Sequence, residues 1–311
     1  MTRLLVIGGN GQVGRELRRS LQPLGEVLST TRDGQLHDGG SGIAADLADT
    51  AGLAALVRGL APDAVINAAA YTAVDKAETG REAAFRINAE APAALARACA
   101  AAGIPLVHYS TDYVFDGRGT RPYRTDDPTA PLGVYGASKL AGEQAIAEAG
   151  GQHLIFRTAW VYAHHGHNFL RTMLRVGADR DELRVVADQI GTPTPAALIA
   201  DVTAVALRRA LGDSSVRGTW HLVADGQTSW HGFAETIFEE AVDAGLLPRA
   251  PRVVAITTAD YPTPAKRPAY SCLDTASLQR EFDFDLPAWR AALRPVIHAL
   301  AAARTGSLPE A

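Results

Sequence analysis

A tyrosine and a lysine four residues apart are the first side chains in this sequence whose spacing can do chemistry. They are Tyr135 and Lys139, in the run Tyr-Gly-Ala-Ser-Lys. On a helix, residues four apart lie on the same face, one turn above the other. A lysine ammonium beside a phenol favours the phenolate and lowers the phenol pKa from its usual value of about 10. The pair predicts a general acid or base, although the same spacing also occurs on ordinary surface helices.

A glycine-rich turn near the start of the chain gives this pair a context. The run Gly-Gly-Asn-Gly-Gln-Val-Gly (8–14) follows the short apolar run 3–7 and leads into a helical pattern over 15–24. Gly8, Gly11 and Gly14 allow a tight turn, close approach of the backbone to a pyrophosphate, and close packing of helix on strand. The helix N-terminus then offers unpaired N–H groups to the phosphates. At the first strand-to-helix turn, this pattern predicts a dinucleotide site.

The end of the second predicted strand, 26–31, bears on which dinucleotide binds. Folds that bind NAD usually place an acidic residue there, where it binds the ribose 2′-hydroxyl. Here Thr31 is followed by Arg32 and Asp33. A hydroxyl followed by an arginine suits a 2′-phosphate, so we predict NADPH, while Asp33 leaves NADH possible.

Two further segments are predicted to line the cofactor. Asp46 and Leu47 follow a glycine-rich loop and are placed beside the adenine. The third predicted strand, 64–67, ends in Ala68, Ala69 and Ala70. Small residues at the carboxyl end of a parallel strand let a cofactor lie against the backbone.

The fourth predicted strand, 105–109, delivers polar residues to the same edge of the sheet. Thr111 can donate a hydrogen bond to a substrate carbonyl oxygen, and Asp112 can accept one from a substrate hydroxyl or simply cap the turn. The preceding helix, predicted over 81–102, contains Asn88. That amide either holds a backbone carbonyl or water near the site or is a satisfied structural side chain.

Strand and helix patterns alternate up to about Trp160, which predicts an α/β fold with a doubly wound parallel sheet of the Rossmann type. Beyond that point the pattern is less regular, and we expect a smaller α/β substrate-binding lobe. The predicted dinucleotide-binding domain comprises residues 1–162 and 192–226. The predicted substrate lobe comprises 163–191 and 227–311, with a disordered tail after Arg304.

The composition excludes several classes of protein. The 311 residues carry a net charge of −4 without a basic stripe, which argues against nucleic acid as a partner. No apolar run has membrane-spanning length, and the start of the chain does not resemble a signal peptide. Cys99 and Cys272 have no metal or redox spacing, so a cytoplasmic location is expected. His164, His165 and His167 have no carboxylate or cysteine at ligand spacing, so we predict a solvated loop and no metal.

Taken together, these stretches resemble the extended short-chain dehydrogenase/reductase superfamily, and within it the dTDP-4-dehydrorhamnose reductase family. The similarity spans nearly the whole chain, in the order of the family's motifs. The matching stretches are Gly-Gly-Asn-Gly-Gln-Val-Gly (8–14), Asn-Ala-Ala-Ala-Tyr-Thr-Ala-Val-Asp-Lys-Ala-Glu (67–78), His-Tyr-Ser-Thr-Asp-Tyr-Val-Phe-Asp-Gly (108–117), Val-Tyr-Gly-Ala-Ser-Lys-Leu-Ala-Gly-Glu (134–143), Phe-Arg-Thr-Ala-Trp-Val-Tyr (156–162), Asp-Gln-Ile-Gly-Thr-Pro-Thr (188–194) and Ala-Tyr-Pro-Thr-Pro-Ala-Lys-Arg-Pro (259–268).

The resemblance implies roles for individual residues. The catalytic trio falls on Thr111, Tyr135 and Lys139. The implied cofactor contacts are Gly8, Gly11, Gln12, Val13, Gly14, Thr31, Arg32, Asp46, Leu47, Ala68, Ala69, Ala70, Tyr135 and Lys139. The implied sugar-nucleotide contacts are Thr111, Asp112, Trp160, Asn168 and Arg267.

The implied reaction is NADPH-dependent reduction of the C4 ketone of dTDP-4-dehydro-β-L-rhamnose to dTDP-L-rhamnose. A related dTDP-4-keto-6-deoxyhexose reductase, of the dihydrostreptose type or another, is the alternative, and a non-catalytic dinucleotide-binding regulatory subunit is a more distant one. Some family members form a dimer around magnesium held by glutamates. Glu16 fits one such position, but Ala196 and Ala197 occupy the region of another. The sequence thus leaves magnesium doubtful and allows a monomer or a homodimer.

Overall fold

A seven-stranded parallel sheet with helices on both faces forms the larger part of the computed structural model, which describes residues 1–305. The strands of the protein are β1 (Arg3–Ile7), β2 (Glu26–Thr31), β3 (Ile43–Ala44), β4 (Ala64–Asn67), β5 (Leu106–Thr111), β6 (His153–Thr158), β7 (Val161–Tyr162), β8 (Glu182–Val186), β9 (Ile190–Gly191), β10 (Thr194–Pro195), β11 (Gly218–His221), β12 (Thr228–Ser229) and β13 (Arg252–Ile256). The helices are α1 (Gln12–Ser20), α2 (Thr50–Leu60), α3 (Val74–Ala77), α4 (Arg81–Phe85), α5 (Ala91–Ala102), α6 (Val134–Glu148), α7 (Phe169–Asp179), α8 (Ala196–Gly212), α9 (Trp230–Asp243), α10 (Ala276–Phe282) and α11 (Trp289–Thr305).

The order of the large sheet fixes where a ligand can bind. Its strands run β11-β6-β5-β4-β1-β2-β3, and every neighbouring pair is parallel. The chain moves outward from β1 to β3 and then crosses to β4, so the order reverses between β1 and β4. In an open α/β sheet, ligands bind beyond the carboxyl ends of the strands at such a reversal. The predicted doubly wound fold is confirmed.

Apolar clusters cover both faces of this sheet. One face packs on α1, α8 and α10, with Leu17, Leu198 and Leu278 fully or nearly buried. The other face packs on α2, α5 and α6, with Leu53 and Leu95 in the cluster. Strands covered on both faces are expected to be continuously apolar, as β1 is.

A third apolar cluster lies away from the large sheet. It joins α7, α9 and α11 to the parallel pair β8–β13, through side chains such as Leu170, Phe233 and Leu293.

The division into two domains stays a prediction. Helix α10, placed in the predicted substrate lobe, packs Leu278 and Phe282 into the first cluster. The prediction of a disordered tail lies, apart from Thr305, outside the described residues. Among the described residues, no helix has both the length and the apolar character that a membrane crossing requires.

The long helix predicted over 81–102 is interrupted by one π-helical turn at Arg86–Glu90. Pro92 explains the interruption, because it has no N–H for the carbonyl of Asn88 four residues earlier and its ring would clash with that carbonyl. The Ala91 N–H instead bonds to Arg86 O. The Asn88 carbonyl faces Gly142 of α6, where a Cβ would lie 2.1 Å from the Asn88 oxygen.

The Asn88 side chain lies beside the carboxyl end of β4. Its oxygen accepts from the Tyr71 N–H at 2.8 Å, while its nitrogen donates to Tyr71 O and to the Ser138 hydroxyl, both at 3.0 Å. Of the two alternatives for Asn88, the structure supports the one in which the amide holds a backbone carbonyl near the site. The π turn thus fixes both the loop after β4 and helix α6.

We expect Gly142→Ala to lower the free energy of unfolding by about 2–3 kcal/mol, because the new Cβ would overlap the Asn88 carbonyl. Gly59→Ala is the matched control, since nothing lies within 4 Å of a Cβ at that helical position. Alanine there should raise the free energy of unfolding by about 0.5–1 kcal/mol. Urea unfolding of both variants measures the difference. Equal stabilities for the two variants would contradict the close contact between α6 and the π turn.

Candidate active site

The glycine-rich turn between β1 and α1 makes the close backbone contacts that its sequence predicts. Gly8 has a φ of +90°, and a Cβ there would lie 2.7 Å from the Cβ of Ala69. A Cβ on Gly14 would lie 2.1 Å from Gly8 O, so α1 packs directly on the turn. Gly11 caps the N-terminus of α1 without any side chain. The first N–H groups of α1 therefore have no side-chain cap, as an anion site requires.

An open cavity of about 820 Å³ extends from this turn across the ends of β2 and β4. The predicted cofactor residues in its wall are Gly8, Gly11, Thr31, Arg32, Asp46, Leu47, Ala69 and Ala70. Asn10, Asp33, His37 and Tyr71 share the wall and were not predicted as cofactor contacts. The predicted contacts Gln12, Val13, Gly14 and Ala68 lie around the turn outside this wall, and Val13 packs into the apolar cluster beneath it.

At the end of β2 the three residues that bear on cofactor choice take different positions. Thr31 is buried and its hydroxyl donates to Asp33 Oδ1 at 3.1 Å. Asp33 Oδ1 also accepts from the Gln35 N–H, and these hydrogen bonds lower the Asp33 pKa. Arg32 is exposed at the rim of the cavity. The cation faces solvent while the carboxylate is held by the loop that follows it.

Thr111 and Tyr135 meet at the carboxyl end of β5. Thr111 is the last residue of that strand, two residues beyond its predicted end, and is buried. Tyr135 lies in the first turn of α6, and its ring packs edge-on against Tyr113 at a centroid distance of 5.5 Å. A Cβ on Gly136 would lie 2.2 Å from Tyr113 O, so the start of α6 is pressed against the segment after β5.

The Tyr135 phenol differs from its predicted state. Burial raises its pKa, the nearby Asp112 charge raises it further, and the Thr111 hydroxyl offsets these effects only in part. The expectation that Lys139 lowers this pKa is wrong for the structure in hand. The Lys139 ammonium points away, into the sheet, and Tyr135 is a protonated phenol at neutral pH.

Lys139 is 2% exposed and bonded at the edge of β5. Its Nζ donates to Tyr109 O at 2.6 Å and lies 3.1 Å from His108 Nε2. The other ring nitrogen of His108 is hydrogen-bonded to the Asn67 amide at 3.1 Å. Burial lowers the Lys139 pKa to about 8, and burial followed by the lysine charge lowers the His108 pKa well below its usual value. A neutral imidazole therefore holds the lysine.

Asp112 follows the strand and is 2% exposed. Its Oδ1 accepts a hydrogen bond from the Thr111 hydroxyl at 2.9 Å. Burial raises the Asp112 pKa to about 6, although the Ser271 and Thr111 hydroxyls favour the carboxylate. The Thr111 hydroxyl proton is thus directed at Asp112, while its oxygen accepts from the Tyr113 N–H at 3.2 Å.

Arg267 bridges to the same segment from the far end of the chain. Its guanidinium donates to Tyr113 Oη at 3.2 Å and to Asp75 Oδ2 at 2.8 Å. It also lines a cavity of about 330 Å³ between α7, β8 and the loop after β13. The other walls of this cavity include Phe169, Trp230 and Tyr261. This cavity, bounded by aromatic and cationic side chains, can accept a planar base next to a negatively charged group.

Trp160 and Asn168 are already engaged by the protein. The Trp160 indole stacks on Trp230 with a centroid distance of 3.5 Å, so Trp230 rather than Trp160 lines the cavity. The Asn168 nitrogen donates to Gln12 Oε1, Ala163 O and His165 O, and its oxygen caps α7. Their roles as substrate contacts stay predictions.

Comparison with known proteins gives a consistent answer. Residues 1–302 match the family described as RmlD substrate binding domain. The dTDP-4-dehydrorhamnose reductase of Escherichia coli (strain K12) is 46% identical over 96% of this chain and 97% of its own length. That of Burkholderia thailandensis is 49% identical over 94% and 96%.

The chain belongs to the dTDP-4-dehydrorhamnose reductase family.

Solved structures of this family agree. The reductase of Clostridium acetobutylicum has a TM-score of 0.85 at 35% identity, covering 96% of this chain and 99% of that one. The reductase of Bacillus anthracis in complex with NADP has a TM-score of 0.84 at 34% identity, covering 95% and 99%. An NAD(P)H-dependent oxidoreductase on a Rossmann fold, as predicted, is therefore confirmed at the level of the family.

Two side chains at the site, those of His108 and Trp230, were not predicted from the sequence. His108 was visible as a polar residue within the otherwise apolar start of β5, but nothing in the sequence pairs it with Lys139. Trp230 precedes the apolar face of α9 and looked like an ordinary start of that helix. Both depend on contacts between distant segments.

The dTDP-4-dehydrorhamnose reductase family also raises the question of magnesium. Glu16 meets two imidazoles, those of His164 and His165. Magnesium prefers six oxygen ligands in an octahedral arrangement, so one carboxylate with two nitrogens does not fit it. The prediction that magnesium is doubtful agrees with this donor set.

We expect Asp112→Asn to change how stability depends on pH. In the folded protein the Asp112 pKa is about 6, against about 3.9 in an unfolded chain. Its contribution to stability is therefore complete below about pH 4 and is lost as the pH rises through 6. The asparagine variant should gain about 2–3 kcal/mol in free energy of unfolding, relative to the parent, between pH 4 and pH 7.

Urea unfolding at a series of pH values measures this gain. Asp116→Asn is the control, since a hydrogen bond from Tyr123 lowers the pKa of that carboxyl and its loss should give no such gain. Parallel stability curves for Asp112→Asn and the parent would show that burial does not hold the proton on Asp112.

Proposed function

We propose that this protein reduces the C4 ketone of dTDP-4-dehydro-β-L-rhamnose with NADPH to give dTDP-L-rhamnose. The observation that carries the proposal is the meeting of Thr111 and Tyr135 at the carboxyl end of β5, with Lys139 one turn further along α6. This group lies at the end of the strand next to β4, and the residues that follow β4, Ala69 and Ala70, line the cofactor cavity. The residues present fit a dinucleotide, since α1 begins at Gly11 without a side-chain cap and the 820 Å³ cavity is lined by that turn.

Bound NADPH supplies the hydride for carbon 4. Tyr135 donates its proton to the oxygen that becomes negative, and its raised pKa keeps that proton in place until the alkoxide forms. Thr111 lies beside the phenol and stabilises the same oxygen by a hydrogen bond once its proton turns from Asp112 to the substrate. Lys139 carries a positive charge below about pH 8 and favours the phenolate left behind once its ammonium turns from Tyr109 O toward the phenol.

The two cavities are assigned to the two ligands. The 820 Å³ cavity takes the adenosine and phosphates of the cofactor, with Arg32 toward the 2′-phosphate. The 330 Å³ cavity takes the nucleotide of the substrate, with Arg267 toward its diphosphate and Trp230 against its base. A cytoplasmic location agrees with the free thiols of Cys99 and Cys272.

We expect Tyr135→Phe to bind NADPH within about twofold of the parent and to lose about 10²- to 10⁴-fold in turnover, because the proton donor is removed. The assay follows NADPH oxidation with dTDP-4-dehydrorhamnose made in situ from dTDP-glucose by a dehydratase and an epimerase. Tyr113→Phe is the matched control, since it keeps the ring against Tyr135 and loses only a hydrogen bond from Arg267.

The parent should oxidise NADPH only when the epimerase is present. Oxidation without the epimerase would move the substrate to another 4-keto sugar, and no oxidation at all would favour a binding role. Near-normal turnover of Tyr135→Phe would remove Tyr135 as the acid.

We expect Arg32→Ala to raise KM for NADPH about 10- to 100-fold while leaving KM for NADH nearly unchanged, because a charged hydrogen bond to a phosphate is lost. Arg58→Ala is the control, as Arg58 is an exposed arginine on α2 outside the cavity wall. Steady-state kinetics with both cofactors measure the ratio. An equal rise for NADH and NADPH would show that Arg32 does not contact the 2′-phosphate.

A further inference from the structure

Three side chains that the reduction does not use meet outside the proposed active site. Glu16 comes from the middle of α1, while His164 and His165 come from the segment between β7 and α7. Glu16 is 7% and His165 is 8% exposed, whereas His164 is partly open to solvent. The histidines were predicted to form a solvated loop because no carboxylate lies near them in sequence. The carboxylate is instead supplied by a helix nearly 150 residues earlier.

One carboxylate oxygen is common to both imidazoles. Glu16 Oε1 lies 2.7 Å from His165 Nε2 and 3.9 Å from His164 Nδ1, and all three atoms lie within 4.8 Å of one another. Nitrogen and oxygen ligands lie about 2.0–2.2 Å from a zinc ion, which puts neighbouring ligand atoms about 3–3.5 Å apart. The present distances lie on either side of that range. A small movement of the more exposed His164 would complete the triangle.

The charges around Glu16 leave the shared oxygen available. Arg19 Nε lies 3.5 Å from the other oxygen, Oε2, and the same guanidinium pairs with Asp201 at 3.0 Å. Arg19 therefore occupies Oε2 and leaves Oε1 to the imidazoles. His165 is held in place through its backbone, since its carbonyl accepts from the Asn168 amide at 3.1 Å.

The donor set selects the kind of ion. Two imidazoles and one carboxylate suit zinc and the neighbouring divalent transition metals, whereas magnesium and calcium prefer oxygen ligands throughout. Three protein ligands leave a fourth position for water, which can enter from the side of His164. Metal binding would replace the hydrogen bond that now joins His165 Nε2 to Glu16 Oε1.

We propose that Glu16 Oε1, His164 Nδ1 and His165 Nε2 bind one divalent transition-metal ion of the zinc type. The ion links α1 to the segment that leads into α7. That segment also contacts the glycine-rich turn, because Asn168 donates to Gln12 Oε1 at 2.8 Å. The ion is thus a structural connection between the cofactor turn and the start of α7, and it takes no part in hydride transfer.

The test uses the full chain without an affinity tag, after treatment with a chelator. Calorimetric titration with ZnCl₂ should give one site per chain, and titration with CoCl₂ should give visible absorption bands of a cobalt ion with nitrogen and oxygen ligands. A hundredfold excess of zinc over Kd should raise Tm by about 3–5 °C. MgCl₂ at the same concentration should give no saturable binding.

Variants separate this site from chance binding. Glu16→Gln and His164→Ala should each weaken zinc binding at least about tenfold, while His167→Ala, an exposed histidine of the same segment, should bind as the parent does. His164 makes no contact shorter than 3.9 Å to Glu16, so its removal should leave the fold intact. Unchanged binding in both ligand variants, an equal loss in His167→Ala, or no saturable binding in the parent would each overturn the proposal.

Discussion

The burial of the Lys139 ammonium determines how helix α6 packs against strand β5 at the centre of the molecule. An ammonium removed from water must find hydrogen-bond acceptors, and here the Tyr109 carbonyl and the His108 ring supply them. Both acceptors belong to β5, so α6 must lie close against that strand. Gly136 makes this possible, because a Cβ there would lie 2.2 Å from Tyr113 O just after β5, while Gly142 lets the same helix lie against the Asn88 carbonyl of the π turn.

The same constraint sets the electrostatics of the chemistry. The hydrogen bonds of Lys139 go to β5 and not to the phenol, so Tyr135 keeps its proton. The negative charge of Asp112 raises the Tyr135 pKa further and holds that proton more firmly. A proton donor needs such a state before the reaction. The phenolate becomes more favourable when the negative charge on Asp112 is neutralised, or when a cation such as the Lys139 ammonium lies closer to the phenol.

The sequence predicted features that depend on neighbouring residues, and it missed features that depend on contacts between segments far apart in the chain. Strands β1, β2 and β4 begin and end at the predicted residues, and β1 and β4 are short apolar runs that lead into glycine or small residues. The π turn was missed although Pro92 was in view, because the compensating contact comes from Gly142, fifty residues later. The raised pKa of Tyr135 was missed for a related reason. The i, i+4 rule gives the face of a helix but not the direction of a long side chain, which His108 and Tyr109 decide.

Helix α1 shows how the cofactor turn and the start of α7 are joined. Gln12 and Glu16 are four residues apart and so lie on one face of that helix. Gln12 accepts from Asn168, which caps α7, and Glu16 meets His165 in the segment just before it. The helix whose N-terminus faces the phosphates therefore also anchors the helix that carries Phe169 into the second cavity. A shift of α1 would be passed to that cavity through two side-chain contacts, of which the one between Glu16 and His165 is buried.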